Sequence, residues 1–196
     1  MAFASDREPY LHVPEHFSVE ELITELQISW RWYTPMYYFT AFFSLIWMGF
    51  LAFFYYLMLA GGITDSEFGY VTLLFPIIHV VAGIGITYWT ICGFVNTTTV
   101  VIDVYDIMVN HHPLPWPGGK VVIDKKTVEQ LYVTEKVNRG KNNTSVTYRV
   151  HAILKSGKSK VLLKGITDKD EAQFLERKME KFLRIEDRPV TGEVKK

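Results

Sequence analysis

From Trp32 to Thr64 the chain carries no charged side chain, and from Phe68 to Ile102 it again carries none. "YYFTAFFSLIWMGFLAFFYYLMLA" fills most of the first span, and "VTLLFPIIHVVAGIGITYWTICGF" much of the second. About 20 helical residues cross the roughly 30 Å hydrocarbon core of a bilayer, and both spans are long enough. The pattern predicts two membrane-spanning helices. A secretory signal peptide fits poorly, because the first span starts late, lacks a basic leader and is far longer than an h-region.

The connection "GGITDSE", Gly61–Glu67, is short, so the helices are expected to form an antiparallel hairpin. It holds no Lys or Arg. The chain has 21 basic and 21 acidic side chains, yet they are segregated: residues 1–100 carry Arg7 and Arg31 against eight acids, and residues 101–196 carry nineteen basic against thirteen acidic. The positive-inside rule then puts both termini in the cytoplasm and the tight loop outside. The sole cysteine, Cys92, lies inside a span and forms no internal disulfide. The Asn-x-Thr/Ser matches at Asn96, Asn142 and Asn143 have no role on that side of the membrane.

Ahead of the first span, "SVEELITELQISW" places Glu21 three residues after Ser18, the spacing of a capping box. Val19, Leu22, Ile23 and Leu26 recur at helical spacing, with Glu20, Glu21 and Glu25 on the other face. An amphipathic interfacial helix is expected within residues 1–33, with Trp30, Trp32 and Tyr33 at headgroup depth. Lipid-bound helices usually present basic faces. The acidic one here suits a protein partner or is simply a solvated face.

Beyond the second span the pattern becomes alternation. "TTVVIDVYDIMVNH" reads as one or two strands bent near Asp103–Asp106, and "GGKVVID" starts another. "VEQLYVTEKV" and "SVTYRVHAILK" form a hairpin around "NRGKNN", and "KVLLKG" follows. In the second of these, Val146, Tyr148, Val150 and Ala152 share one face, and Thr147, Arg149 and His151 the other. "TDKDEAQFLERKMEKFLRI" gives a final amphipathic helix, with Thr167 and Asp170 at start-signal spacing. Its buried stripe is Phe174, Leu175, Met179, Phe182 and Leu183.

The order of strands and final helix resembles the bacterial pleckstrin-homology-like domains attached to membrane hairpins. The wording of Pro113–Gly118, Gln130–Lys136, Tyr148–Ala152, Val161–Leu163 and Ala172–Glu176 resembles a group of bacterial membrane proteins sharing "PLPWPG", "QLYV" and a following "EK". The resemblance covers roughly residues 98–185. It implies a fold and a bacterial inner-membrane location, and no activity. The expected class is membrane α+β, with an N-terminal segment (1–33), a transmembrane hairpin (34–97), a cytoplasmic pleckstrin-homology-like β domain (98–185) and a polar tail (186–196).

Between strands lies "VNHHPLPWPGGK". Adjacent histidines on a strand point to opposite faces, so His111 and His112 are badly placed to share a metal. No zinc-spaced ligand cluster follows, and "PGGK" lacks phosphate-loop spacing. The prolines end the strand and the glycines permit a reversal, leaving a structural connection with Trp116 as an aromatic anchor.

His79 is the one ionisable side chain deep in either span apart from tyrosines and the cysteine. Such residues are functional candidates. Pigment or haem ligation is one use of it; an interhelical hydrogen bond to Ser44, Thr40 or a tyrosine is the other and the expected one. Pro76 is expected to kink the helix, and Ala82, Gly83 and Gly85 form a small-residue patch for the hairpin or a neighbouring subunit.

No nucleophile elbow, catalytic carboxylate pair, dinucleotide fingerprint or metalloprotease helix is present in the sequence. The expectation is therefore a non-enzyme without metal or cofactor. Nucleic-acid binding does not fit a membrane-tethered domain without interleaved surface aromatics. Three functions stay open. One is an accessory or scaffold subunit stabilising a larger membrane complex, with photosynthetic or respiratory assemblies as the host class. Another is an anchored lipid- or peptide-binding sensing module. The last is a component using His79 in a proton or ligand path. The expected interaction residues are Glu20, Glu21, Glu25, Trp30, Trp32, Ala82, Gly83 and Trp116.

Overall fold

A computed structural model describes residues 13–61, 74, 76–140 and 144–194. The loop after Gly61, the start of the second span, and the sequons at Asn142 and Asn143 lie outside the described residues. The chain divides into two compact units. One holds Met1–Trp30, Thr98–His111 and Pro117–Lys196, and the other Arg31–Thr97 with His112–Trp116.

Among the described residues, the second unit is built on two helices, α1 (Met36–Ala60, 25 residues) and α2 (Ile77–Val95, 19 residues). At 1.5 Å per residue they are about 37 and about 28 Å long, so both are long and apolar enough to cross a membrane. They run antiparallel. Tyr37 and Tyr38, near the start of α1, meet Trp89 and Phe94 near the end of α2, while Trp47 meets His79. Thr87 and Thr90 return their hydroxyls to the carbonyls of Gly83 and Ile86 at 2.8 Å, which satisfies them inside the helix. Pro76 serves as the N-cap of α2, where a missing N–H costs nothing.

Among the described residues, the first unit contains eight strands in antiparallel sheets and one α-helix. β1 (Phe17–Glu21), β2 (Leu26–Arg31), β3 (Thr97–Ile102), β4 (Asp106–His112) and β5 (Val121–Asp124) form one sheet in that order. β6 (Val128–Arg139), β7 (Thr144–Leu154) and β8 (Ser159–Ile166) form the other. α3 (Lys169–Leu183) follows. Inward positions alternate as the pleat requires: Val100 and Ile102, Ile107 and Val109, Leu131 and Val133, Val150 and Ala152 are all buried. The bend between β3 and β4 is an Asx turn, in which the Asp103 carboxylate accepts the N–H groups of Tyr105 and Asp106 at 2.7 Å. These donors hold the Asp103 carboxyl below its usual range.

Three expectations are corrected. Residues 17–31 are a β-hairpin, not an amphipathic helix. Phe17 and Val19 face inward from β1, and Leu26, Ile28 and Trp30 from β2, so period two wins once β2 can join β3. Leu22 and Ile23, half of the supposed apolar helical face, sit exposed in the turn that the Leu22 N–H to Glu25 carbonyl bond closes. The β domain therefore begins with these strands rather than at residue 98.

The helix cap is Asp168, whose carboxylate accepts from the N–H groups of Asp170 at 2.7 Å and Glu171 at 3.3 Å, and not Thr167. The stripe of α3 otherwise packs as its spacing predicts, with Phe182 and Leu183 at the margin of the core. Finally, the tail past residue 185 is not a free polar extension. The Val194 N–H bonds the Val133 carbonyl at 2.9 Å, Gln130 donates to the Arg188 carbonyl, and Val194 packs against the core. The outer edge of β6 offers unpaired backbone groups, and the tail takes one of them.

Candidate functional site

The seam between α1 and α2 mixes small or weakly polar side chains with a few large ones. Thr40, Ser44, Leu51 and Met58 are the buried residues of α1, and Gly83, Thr90, Cys92 and Gly93 those of α2. Tyr37 lies flat against the Gly93 backbone where any Cβ would stand. An added Cβ at Gly83 would come within 2.8 Å of Met48 Sδ and 2.9 Å of Trp47. Many large residues point away from the seam: Phe39, Phe42, Leu45, Ile46, Phe50, Phe53, Ile78, Val81, Ile84 and Ile91 are exposed, while Leu51 and Met58 are buried in it. This is the reverse of a water-soluble helix pair, which buries its large apolar side chains.

His79 takes part in that seam through Trp47. The rings stack with centroids 5.9 Å apart, and the indole N–H donates to the His79 carbonyl at 3.2 Å. Of the partners expected for it, Thr40 donates to the Tyr37 carbonyl at 3.1 Å, and the Ser44 hydroxyl is buried. The small-residue patch splits. Gly83 is covered by α1, whereas Ala82 and Gly85 face outward, with nothing within 4 Å of a Cβ added to Gly85.

Where the helices end, Asn96 ties three segments together. It is 1% exposed and caps α2, its N–H bonding the Cys92 carbonyl at 2.8 Å. Its carbonyl accepts the Trp32 N–H at 3.1 Å. Its side-chain amide accepts the Leu114 N–H at 2.9 Å and donates to the Leu114 carbonyl at 3.0 Å. The Tyr88 hydroxyl donates to the Pro115 carbonyl, and Trp116 packs edge-on against Trp32 at 5.0 Å. The proline-rich connection is thus a clasp, with Trp116 its aromatic anchor and a cis bond at His112–Pro113. Sequence reasoning saw only a sequon at Asn96. His111 is likewise structural, its Nδ1 lying 2.9 Å from the Thr98 hydroxyl.

The outward face of β6–β7–β8 forms another polar surface. Because Leu131, Val133, Val150 and Ala152 face the core, Tyr132, Thr134, Lys136, Arg149 and His151 face away. Register sets Thr134 opposite Arg149 and Arg149 opposite Lys164, with Tyr132 opposite His151 in the next row. Tyr132 stacks on His151 at 4.9 Å. The imidazole nitrogens meet the hydroxyls of Thr134 at 2.9 Å and Ser159 at 3.4 Å, and Ser159 lies 2.9 Å from the Tyr132 hydroxyl. Partial burial, then the charge of Arg149, push His151 below the usual imidazole range.

The other expected interaction residues are dispersed. Glu20 and Glu21 are successive on β1 and point to opposite faces. Glu21 pairs with Lys178 of α3 at 2.5 Å, and Glu25 sits in the hairpin turn. No continuous acidic face exists there. Trp30 packs on Phe17 at 4.9 Å at the border of the core. A grouping missed in the sequence is Glu176, Glu180 and Asp187, whose carboxylate oxygens come within 4.8 Å of one another. Glu176 and Glu180 are buried on the side of α3 that the apolar stripe left as polar, and Glu180 accepts the Leu131 N–H at 3.3 Å. No protein-family model matches the chain, and no curated protein matches it.

Proposed function

We propose that the chain is a non-catalytic accessory or scaffold subunit whose helical hairpin crosses the bacterial inner membrane and packs against a larger integral-membrane complex. The single observation that supports this is the inside-out packing of α1 and α2. Glycine, serine, threonine and cysteine line much of their seam beside Leu51 and Met58, while most of their phenylalanine, leucine and isoleucine side chains stand outward. Small interfacial residues are how helices approach each other in lipid, where apolar side chains gain nothing by hiding from lipid tails. Ten or more exposed large residues on two helices offer far more contact surface than the pair uses internally.

In this reading both termini and the β unit are cytoplasmic, following the segregation of Lys and Arg. Two antiparallel sheets followed by a C-terminal helix support a pleckstrin-homology-like module as the cytoplasmic part. Energy-transducing complexes, photosynthetic or respiratory, are the proposed hosts. In this reading His79 serves packing, with Trp47 stacked on its ring and bonded to its carbonyl.

Affinity purification of the tagged chain from native membranes in mild detergent, followed by a native gel, tests the proposal. Stoichiometric co-migration with a defined complex is the expected result, and the absorbance of that band reports pigment or haem. Recovery of the chain alone, or as a small homo-oligomer, refutes it.

A further inference from the structure

Among the described residues, the outward face of β6–β7–β8 holds cations without a counter-ion. Lys136, Arg149 and Lys164 lie on it, and no carboxylate shares those positions. Among the described residues no salt bridge reaches any of the three. Arg149 and Lys164 stand directly opposite in the register, where like charges repel. Glu135 is the nearest acid on β6 in sequence, but it pairs with Tyr148, one pleat position away, and so faces the other side. Lys160 is occupied differently, its ammonium donating to the Val122 carbonyl at 3.0 Å. Beside the cations lie the hydroxyls of Tyr132, Thr134 and Ser159, gathered around His151.

We propose that this face binds a phosphate-bearing anion, seated on Arg149 and Lys164 and oriented by the hydroxyls of Thr134, Ser159 and Tyr132. The chemistry fits in three respects. A guanidinium presents parallel donors that match two phosphate oxygens. The lysine supplies a point charge from the neighbouring strand. Hydroxyls can turn to donate to whichever oxygens remain. An anion between Arg149 and Lys164 converts their mutual repulsion into two attractions. The ligand is either a lipid headgroup phosphate or a free phosphate, and the inference holds whether or not the helices dock on a larger complex.

The test uses the full chain in neutral detergent micelles at pH 7.5, titrated calorimetrically with inorganic phosphate and, separately, with dihexanoyl phosphatidic acid. Binding is expected, weakened about tenfold or more by Arg149→Gln and by Lys164→Gln, the loss of one charge-assisted hydrogen bond each. Lys164 is exposed, so its variant tests binding without a folding defect. Lys155→Gln and Lys158→Gln, at the exposed β7–β8 turn, should leave affinity unchanged. A tenfold or greater preference for the lipid identifies the headgroup as the source; a smaller ratio identifies the phosphate group alone. Absence of binding to both probes overturns the proposal. So does an equal loss in the Lys155 and Lys158 variants, which marks a diffuse charge effect, or an unchanged affinity in Lys164→Gln.

Discussion

Asn96→Ala is the substitution with the clearest expected cost. It removes the acceptor of the Leu114 N–H and the donor to the Leu114 carbonyl while keeping the backbone bonds of Asn96 to Cys92 and Trp32. Each polar group left unsatisfied in a buried setting costs about 1–3 kcal/mol. Leu114 is only half-buried, so water recovers part of one bond, and the sum is about 2–3 kcal/mol. For a chain of this size that corresponds to a fall in Tm of roughly 4–12 °C. Thermal melting in detergent, followed by tryptophan fluorescence, measures it. Hydrogen exchange at the Leu114 amide localises it, because that donor should lose protection while core strands do not. Asn96→Asp should melt no higher than alanine at neutral pH, since it buries a carboxylate and sets an oxygen against the Leu114 carbonyl. A melting point within 1 °C of wild type, together with unaltered protection at Leu114, refutes the role given to Asn96.

Two further outcomes follow from the geometry. Gly93→Leu should disrupt the helix pair, because Tyr37 fills the space a Cβ needs, whereas Gly85→Leu faces open space and should melt as wild type does; equal melting points for the two would refute the packing. His151 is neutral-favouring in the folded chain, so the unfolded state binds more protons below pH 6.5, and stability should fall as pH drops from there toward the lowered folded value. Arg149 is the charge facing that ring, alongside the Tyr132, Thr134 and Ser159 hydroxyls. His151→Gln should flatten this part of the stability–pH curve, as chemical denaturation across pH 5–7 would register; an unchanged slope refutes it.

The uncharged spans were legible because a long run without charge has few alternatives, and the strands from β3 to β8 were legible from their own alternation. The hairpin at residues 17–31 was not. Its turn, "LITE", contains no Gly, Pro or Asn to announce a reversal, and Ser18 and Glu21 happen to match capping-box spacing. What decides its conformation is β3, its neighbour in the sheet, which lies beyond both helices in sequence. Asn96 was opaque for the same reason, since its partner Leu114 is eighteen residues away. The outward cations of β7 and β8 were visible individually, but only the register across a bulged pair sets Arg149 against Lys164. Glu180 meets the Leu131 N–H of β6, a contact that no helical pattern reports.

The insertion of both helices between adjacent strands has a consequence for the order of assembly. β2 ends at Arg31 and β3 begins at Thr97, so their pairing closes a long loop. For a flexible chain of that length, closure costs roughly 3–4 kcal/mol of entropy. Once α1 and α2 have zipped together, the bond from Trp32 to Asn96 brings the two strand ends within reach, and most of that cost has already been met by helix packing. During synthesis, β1 and β2 emerge first and have no sheet to join until β3 follows. A lesion in the helix seam, such as one at Gly93, would therefore surface as an unclosed sheet, in a unit that contains none of the altered residues.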